Sequence, residues 1–453
     1  MKNTLKSLNN LLHEHLQRLN ADGIGDRSKT EIFLLLILLN YLSKANFLLK
    51  NKAGVNFHII NETKDTKLAI VSLIKIYRDV MSDIPAEVLD LNMIDFNNLP
   101  EGQFYNMLLE WEMVLPQTWT PENVVNIFEL LESLLEENFK IGAAFSTPKD
   151  LVQLVKSVTP INNEIKTIYD PYSRTGEFLS KIGQDQNAKK NQFFASVKNS
   201  LQLKIAKTKI FMMGLTNILW ITQNDGPPEI NLEFDCIISN PPFGMLIPNL
   251  KYSGHWANKI RSNRSEIIFL THILDHLSNN GRATVIVPSG ILSASGKTEF
   301  LRRSIIEENI LEAVISLPTK MFYNTGVSTA ILIFNKNRNF SKVILIDATN
   351  IGVREKSKHF LSDSDIEAIS LIVHNFRNSE TINNTLQNIP YKIISREEFD
   401  YNNYDFQNTS YTIEERFPKN LLPISDLLRD CCDIEKQLII VQKNIISLIN
   451  IEQ

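Results

Sequence analysis

The amino-acid sequence is poor in cysteine, in net charge and in long apolar runs. Its three cysteines, Cys236 and the adjacent Cys431 and Cys432, give neither a metal-ligand spacing nor a disulfide framework, which favours a reducing cytoplasm. The formal net charge of −4 argues against a protein that grips nucleic acid alone through a broad basic surface. The apolar stretch 32–39 is far shorter than the ~18 residues that span a bilayer. Residues 1–29 are polar and charged, so we expect no signal peptide, no membrane association and a cytoplasmic location.

The length of 453 residues and the 43% hydrophobic content predict large cores in about two to four domains. We expect a helical N-terminal domain over residues 1–140, where leucines recur at helical spacing and Ile32–Leu42 is apolar on every side. Residues 141–350 alternate strand and helix, and residues 351–453 return to helix. From Leu427 to Leu448, apolar residues repeat in the manner of a coiled-coil seam. This seam is either a docking helix for a partner or a helix packed on its own domain.

Short apolar runs in the middle of the chain predict strands, and helices of ordinary length fit between most of them. Such alternation indicates an α/β fold with a largely parallel sheet. The last two runs are separated only by Lys336–Lys342, a gap of hairpin length, which predicts that they form a terminal hairpin with one antiparallel strand. The predicted strands are Thr167–Asp170, Phe193–Val197, Phe234–Ser239, Ala283–Pro288, Leu311–Leu317, Ala330–Asn335 and Val343–Asp347.

The loop Asn240–Phe243 directly follows the predicted strand Phe234–Ser239. Its two prolines stop the strand and fix an extended loop at the carboxyl end, where open α/β sheets bind ligands. The Asn240 amide oxygen and a proline carbonyl can accept the N–H bonds of an exocyclic amino group and align it with an electrophile. The ring of Phe243 can stack on a flat heterocycle. An ordinary strand-ending turn is the alternative for this motif taken alone.

A second turn follows the first predicted strand, from Asp170 to Gly176. The turn after the first strand of such a sheet is where a nucleoside cofactor approaches the backbone. Gly176 permits a close approach because it has no side chain, and Asp170 can bind a polar end of the cofactor. With one glycine, this turn is a weak signal by itself.

The motifs in chain order are F-x-T-P at Phe145–Pro148, D-P-x-x-x-T-G-x-F-L at Asp170–Leu179 and D-x-I-I-x-N-P-P-F-G at Asp235–Gly244. This order resembles the N6-adenine DNA methyltransferases, and most closely the modification subunit of type I restriction-modification systems. The resemblance covers roughly residues 100–350. Downstream segments that agree with it are Ser262–Glu266, Asn280–Ala283, Val285–Gly290, Glu312–Pro318 and Phe322–Thr329.

The resemblance implies a Rossmann-like class I methyltransferase sheet, with S-adenosylmethionine as methyl donor and the N6 atom of a flipped adenine in duplex DNA as acceptor. It requires no metal and no covalent intermediate. It also implies a specificity subunit that reads the target, with or without a restriction subunit, and a second copy of the chain. The implied catalytic residues are Asn240, Pro241, Pro242 and Phe243. The implied donor-binding residues are Phe145, Thr147, Pro148, Asp170, Thr175, Gly176, Glu177 and Asp225.

The sequence departs from the family pattern at two positions around the expected donor site. Arg174 stands where the family has a second glycine, and Val197 stands where an acid usually holds the ribose hydroxyls of the donor. Glu177 is a candidate substitute for that acid. The residue that would bind the donor's adenine is assigned to Asp225, with Asn224 as the alternative. Asp235, just before the catalytic loop, is interpreted as a support for the strand.

These departures leave competing hypotheses about function. An active adenine methylating subunit is favoured by the complete Asn240–Phe243 loop. A catalytically weak or inactive relative that keeps the fold is favoured by Arg174 and Val197. Methylation of RNA or of a protein glutamine is a third hypothesis, which the helical N-terminal region and the downstream motifs disfavour.

Overall fold

A computed structural model describes residues 2–48, 67–72, 75, 85, 88, 90–91, 94–138, 147–185, 188–248, 253–322, 326–355, 358–379, 389–411, 434–439 and 441–442. The chain divides into two compact units, 1–407 and 408–453. The described part of the second unit comprises a 3-10 helix at Asn408–Tyr411 and helical residues at 434–439 and 441–442. Most of the apolar repeat from Leu427 to Leu448 lies outside the described residues, so its docking role stays a prediction.

The amino-terminal part of the first unit is helical, as predicted. The helix Asp26–Leu48 is buried on nearly all sides between Ile32 and Leu42, which confirms the interpretation of that apolar segment. Thr120 caps a later helix by accepting the Asn123 N–H over 3.2 Å. The longer described helices here are Lys2–Ala21, Asp26–Leu48, Gln103–Val114 and Pro121–Asn138.

A buried polar network joins two of these helices. The Trp111 indole N–H donates to His15 Nδ1 over 2.8 Å, and His15 Nε2 lies 2.6 Å from Glu110 Oε2. The His15 ring is fully buried, and burial lowers its pKa, so the neutral imidazole accepts from Trp111 and donates to Glu110. Each polar atom of the ring therefore has a partner.

A nine-stranded sheet forms the centre of the first unit. Its strands are β1 Thr167–Asp170, β2 Gln192–Val197, β3 Ile218–Thr222, β4 Phe234–Ser239, β5 Leu277–Pro288, β6 Leu311–Ser316, β7 Thr329–Asn335, β8 Val343–Asp347 and β11 Tyr391–Ile394. Their order in the sheet is β11-β8-β6-β7-β5-β4-β1-β2-β3. The strands β3, β2, β1, β4 and β5 are mutually parallel neighbours. A separate two-stranded ribbon consists of β9, Val353–Glu355, and β10, Lys358–Phe360.

The predicted strands are all present, but the predicted terminal hairpin is wrong. Strand β6 lies between β7 and β8, and β7 runs antiparallel to both β5 and β6. Because neighbouring strands lie only about 4.8 Å apart, the connection Lys336–Lys342 can reach across one intervening strand, so its length does not specify pairing. A second antiparallel strand, β11, pairs with β8, and β3 forms the other edge. Neither of these edge strands was predicted, because a short apolar run beside a helix does not distinguish strand from helix.

Helices cover the sheet, and two buried ion pairs join one of them to the amino-terminal helices. Lys209 Nζ lies 2.8 Å from Glu132 Oε1, and Lys204 Nζ contacts Glu31 Oε2; all four side chains are buried. Both lysines belong to the helix Ser200–Met212. The other helices of this part are Lys149–Val158, Glu177–Gly183, His255–Lys259, Ser265–Asp275, Gly290–Ser293, Lys297–Glu307, Asp363–Arg377 and Arg396–Tyr401.

Two observations on the described residues limit what else this fold contains. No helix among them combines the length and the apolar character that crossing a membrane requires. No group of three or more histidine, cysteine, aspartate or glutamate side chains in the described parts of the chain is arranged to hold a metal ion. A capping box begins the helix Arg396–Tyr401, since the Ser395 side chain accepts the Glu398 N–H and the Ser395 N–H donates to Glu398 Oε2 over 2.8 Å.

Candidate active site

The carboxyl ends of β3, β2, β1 and β4 meet along one margin of the sheet, because these strands are parallel neighbours. We call this margin the carboxyl edge. The residues that end these strands or follow them directly are Asp170 at the end of β1, Val197 at the end of β2, Gln223 after β3 and Asn240 after β4. The fold thus gathers residues that are far apart in the sequence.

Asn240 is buried, with 1% of its surface exposed. Its Nδ2–H donates to Thr147 Oγ1 over 3.0 Å. Its Oδ1 is also buried and has no hydrogen-bond partner among the described residues. An unpaired buried acceptor costs about 1–3 kcal/mol. The Thr147 contact therefore orients the amide so that its oxygen is kept free for an N–H donor from a ligand.

Ser265 fixes the loop that follows Asn240. Its hydroxyl donates to the Pro242 carbonyl over 2.8 Å and accepts the Met245 N–H at 3.2 Å. Pro241 and Pro242 are both buried, and neither has an N–H that requires a partner. No hydrogen bond from the described residues reaches the Pro241 carbonyl, so it remains a second free acceptor beside Asn240.

The ring of Phe243 is partly buried and is held from one side. It meets the Phe322 ring edge-on, with centroids 5.8 Å apart and an interplanar angle of 86°. Edge-to-face contacts of this kind are favourable and restrict the ring orientation. The sequence identifies Phe322 only as the first residue of the downstream segment Phe322–Thr329, and its contact with Phe243 is visible only in the structure.

Asp170 is the buried carboxyl at the end of β1, with 1% of its surface exposed. The Tyr172 N–H donates to its Oδ1 over 3.1 Å, and the Ser239 hydroxyl donates to the same atom over 3.3 Å. Burial raises the Asp170 pKa to about 7, although the Tyr172 N–H opposes the shift. The ionised form is therefore costly until a cationic or hydrogen-bonding group approaches it.

The turn after Asp170 is strained at Arg174. Its φ is +50°, in the left-handed region that favours glycine, and its guanidinium lies 5.2 Å from the centroid of the Tyr172 ring. The backbone therefore has a conformation that glycine favours although the residue is arginine. Gly176 has φ of +78°, and a Cβ there would stand 3.5 Å from Ala206 Cβ. Its conformation, more than a lack of space, requires glycine.

Thr175 and Glu177 bond to each other behind this turn. The Thr175 hydroxyl donates to Glu177 Oε1 over 2.9 Å, and Thr175 is fully buried. Burial raises the Glu177 pKa to about 7, with a further contribution from the carboxylate of Glu132, while Lys209 opposes the shift. Glu177 therefore lies within electrostatic reach of the buried ion pair of Lys209 and Glu132.

The ends of β2 and β3 differ from each other in polarity. Val197 is buried and apolar, so no carboxylate stands at the end of β2. Asp225 is exposed, pairs with Lys198 over 2.6 Å, and has its pKa lowered by that partner. The buried polar group is instead Gln223, whose amide nitrogen and oxygen both lack partners within the described residues. The sequence offered no signal that separated Gln223 from the exposed Asn224 and Asp225.

Residues 122–419, more than half of the chain, match the family model described as N-6 DNA Methylase. The chain belongs to this family. Among curated proteins it is similar to the type I restriction enzyme MpnII methylase subunit of Mycoplasma pneumoniae, with 24% identity over 270 residues, 53% of this chain and 49% of that protein. It is also similar to the EcoEI methylase subunit of Escherichia coli, with 26% identity over 234 residues, 48% of this chain and 47% of that protein. The chain spans about half the length of these relatives.

The solved structures agree with this assignment at the level of the fold. The methyltransferase subunit of a type I restriction-modification system from Streptococcus thermophilus superimposes with a TM-score of 0.65 at 18% sequence identity. The match covers 90% of this chain and 99% of that chain. The predicted Rossmann-like methyltransferase sheet is thereby confirmed.

For this N-6 DNA methylase chain, the structure brings together Asn240, the two prolines, Thr147 and Asp170 through the contacts given above. Pro148 is half-buried and precedes the helix Lys149–Val158 as its cap. Phe145 lies outside the described residues. The roles of all these residues in binding and catalysis stay predictions. Sequence reasoning assigned no role to Ser265, Ser239 or Gln223, because serine and glutamine are common and only their burial distinguishes them.

Asp235 supports the opposite end of β4, as predicted. Its Oδ2 accepts the Lys166 N–H over 2.9 Å, the Thr167 N–H over 3.0 Å and the Thr167 hydroxyl over 3.1 Å. These bonds join β4 to the start of β1. In this N-6 DNA methylase chain, Asp235 is therefore a structural residue that is remote from the carboxyl edge.

Proposed function

We propose that the chain transfers a methyl group from S-adenosylmethionine to the N6 atom of adenine in duplex DNA, in the cytoplasm, as the modification subunit of a type I complex. The specificity subunit of that complex finds the target, with or without a restriction subunit and together with a second copy of this chain. The observation that carries the proposal is the buried Oδ1 of Asn240, which has no partner within the described residues, beside the carbonyl of Pro241, which no hydrogen bond from those residues reaches. Two fixed acceptors match the two N–H bonds of an adenine amino group.

The buried polar atoms of the carboxyl edge fit the proposed donor. Ser173 Oγ, Asn240 Oδ1 and both polar atoms of the Gln223 amide are buried without partners among the described residues. Ser173 and Asp170 would hold the amino-acid end of the donor, and Gln223 with Asp225 would hold its nucleoside end. When bound, S-adenosylmethionine supplies a methyl group made electrophilic by the attached sulfonium.

The residues of the chain would act mainly on the acceptor amine. By accepting its N–H bonds, Asn240 and Pro241 raise electron density on a nitrogen whose lone pair is otherwise delocalised into the ring. The same bonds hold that nitrogen in line for attack. Phe243, braced by Phe322, stacks on the base once it has left the duplex. Phe145, Thr147, Pro148, Thr175, Gly176 and Glu177 complete the proposed donor site.

The arrangement of domains belongs to the same proposal. We assign residues 1–140 to a helical domain, 141–350 to the catalytic domain, and 351–453 to a helical region whose seam from Leu427 to Leu448 docks the specificity subunit. The ion pairs of Lys204 and Lys209 support a fixed attachment of the first of these to the second.

A second candidate function is favoured by the end of β2. Val197 offers no hydrogen bond to a ribose, and Arg174 occupies a glycine position with its guanidinium on Tyr172. A relative that keeps the fold, assembles with its partners and binds the donor poorly would show these two features. It would also have no reason to retain an unpaired acceptor at Asn240.

The test compares the full chain with Asn240→Ala, each assembled with the specificity subunit encoded beside it. Methylation-sensitive sequencing of host DNA first identifies the target, and calorimetry then measures S-adenosylmethionine binding. We expect Asn240→Ala to bind the donor normally and to lose about a hundredfold or more of its methyl transfer. Transfer by Asn240→Ala at the unchanged rate would refute the assigned role. A wild-type complex that binds no donor even with DNA present would instead support the second candidate function, that of a relative that keeps the fold and assembles with its partners.

A further inference from the structure

The segment after the Asn240–Phe243 loop presents apolar side chains to solvent on a fixed backbone. Leu246 is 65% exposed and Met245 is 41% exposed. Leu246 forms an antiparallel bridge with Arg264, and the Ile247 N–H donates to the Asn263 carbonyl over 2.7 Å. We call the paired segments 245–247 and 263–265 the apolar ribbon. Its backbone is held by hydrogen bonds although the tips of two of its side chains are not covered.

The ribbon is anchored at both ends. Ile247 is 4% exposed and belongs to a small core with Ile268 and Phe269. At the other end, the Ser265 N–H donates to the Met245 carbonyl over 2.9 Å, and the Ser265 hydroxyl holds the carbonyl of Pro242. A displacement of Leu246 would therefore be transmitted through Ser265 to the loop that carries the proposed acceptors.

A cationic side chain lies directly across the ribbon from Leu246. Arg264 is exposed, and within the described residues its guanidinium has no hydrogen bond or ion pair. An exposed leucine opposite an unpaired arginine fits poorly with a protein partner that buries only apolar surface. It fits duplex DNA, where apolar side chains enter between stacked bases and arginine contacts the adjoining phosphates.

We propose that Leu246 is a wedge that enters the DNA base stack beside the target adenine and stabilises the flipped state, with Arg264 contacting a flanking phosphate. The inference rests on the proposed function, because it places flipped adenine at Asn240. It goes beyond that function by naming the residue whose contacts offset the free-energy cost of unstacking the target base. Met245 widens the same apolar surface.

The experiment uses the full chain with its specificity subunit and a duplex oligonucleotide that carries the target. In one duplex 2-aminopurine replaces the target adenine, so its fluorescence rises when the base leaves the stack. In two others the target adenine faces either thymine or an abasic site. The variants are Leu246→Ala, the conservative Leu246→Met, and Leu232→Ala. Leu232 is a matched control, because it is 47% exposed in the segment before the amino end of β4.

We expect Leu246→Ala to lower the 2-aminopurine signal and to slow methyl transfer on the fully paired duplex by about tenfold. The abasic duplex, whose target base is already unpaired, should restore transfer to within about twofold of wild type. Leu246→Met and Leu232→Ala should behave as wild type on both. Rescue by the abasic duplex separates a wedge from a residue that merely holds the loop in place.

Unchanged flipping and transfer by Leu246→Ala on the paired duplex would overturn the inference. An equal loss on the paired and abasic duplexes would overturn it as well, because it would indicate a structural role. A wild-type complex that raises the 2-aminopurine signal without transferring methyl groups would contradict the proposed function alone. In that case the 2-aminopurine signal would still test the wedge: a lower signal for Leu246→Ala than for wild type would support it, and an equal signal would overturn it.

Discussion

The two ends of strand β4 treat their polar side chains in opposite ways. At the amino end, Asp235 accepts three hydrogen bonds from Lys166 and Thr167. At the carboxyl end, Asn240 Oδ1 is buried and accepts none within the described residues. Because an unpaired buried acceptor costs free energy, the amino end is built for stability. The carboxyl end instead retains the free-energy cost of an unpaired acceptor, which a bound ligand can offset by donating a hydrogen bond.

The same contrast extends to other parts of the molecule, with one qualification. The His15 ring among the amino-terminal helices is fully paired, whereas Ser173 and Gln223 at the carboxyl edge are not. Asn40 Oδ1, Gln103 Oε1 and Trp119 Nε1, in the amino-terminal part, nevertheless also have no partner among the described residues. A single unpaired atom is therefore weak evidence of a ligand site. The convergence of several at the ends of adjacent parallel strands is the informative feature.

The largest expected effect tests the two ends of β4 directly. Asp235→Ala should lower the free energy of unfolding by about 3 kcal/mol, because it leaves the N–H groups of Lys166 and Thr167 without their acceptor. Asn240→Ala should change it by less than about 1 kcal/mol, since the lost hydrogen bond to Thr147 is offset by removal of a buried oxygen that has no partner within the described residues. Urea unfolding followed by circular dichroism measures both. If Asn240→Ala lowered the free energy of unfolding as much as Asp235→Ala does, the Asn240 amide would have a structural role.

An intermediate effect concerns the pH dependence of stability at the carboxyl edge. The Asp170 pKa is raised to about 7 in the folded state, so the folded protein holds this proton more tightly than the unfolded chain. Its contribution to stability is present below pH 4 and is lost as the pH rises through 7. Asp170→Asn should therefore be more stable than wild type by on the order of 2 kcal/mol at pH 8.5, and the difference should vanish near pH 4.

The measurement for Asp170 is the unfolding free energy at several pH values from 4 to 8.5. The amide introduced by Asp170→Asn would keep an oxygen to accept the Tyr172 N–H, so the substitution tests charge and not hydrogen bonding. A difference between variant and wild type that does not depend on pH would show that the carboxyl is not held neutral by burial.

The smallest expected effect concerns the turn at Arg174. Because its φ is +50°, Arg174→Gly should be more stable than Arg174→Ala by about 1 kcal/mol. The alanine variant keeps the strain and loses the contact with Tyr172. Differential scanning calorimetry of both variants provides the comparison. Equal stability would mean that the turn relaxes to another conformation when the arginine is absent.

The sequence predicted the positions of the strands better than it predicted which strands pair with each other. The apolar runs at Phe234–Ser239 and Val343–Asp347 coincide with β4 and β8, because a buried parallel strand is apolar throughout. The pairing of β7 with β6 instead of β8 depends on contacts between distant segments. No local pattern records which of two compatible neighbours a strand adopts.

The site was predictable where its residue types are unusual and unpredictable where they are common. Asn-Pro-Pro-Phe after an apolar run is rare enough to indicate the acceptor loop. Ser265 and Gln223 carry no such signal, and their importance follows from burial and from their partners or lack of partners. Asp225 was selected for its charge, yet that charge is exposed and paired with Lys198.

The sequence by itself determined the alternation of strands and helices, the loop that ends β4 and membership of a methylase family, because these follow from local periodicity and short motifs. Only the tertiary structure decided that the Asn240 oxygen has no partner within the described residues, that burial raises the Asp170 pKa to about 7, and that Leu246 stands exposed beside Arg264. Burial and hydrogen bonding are properties of which segments meet, and segments far apart along the chain meet only once the sheet has formed.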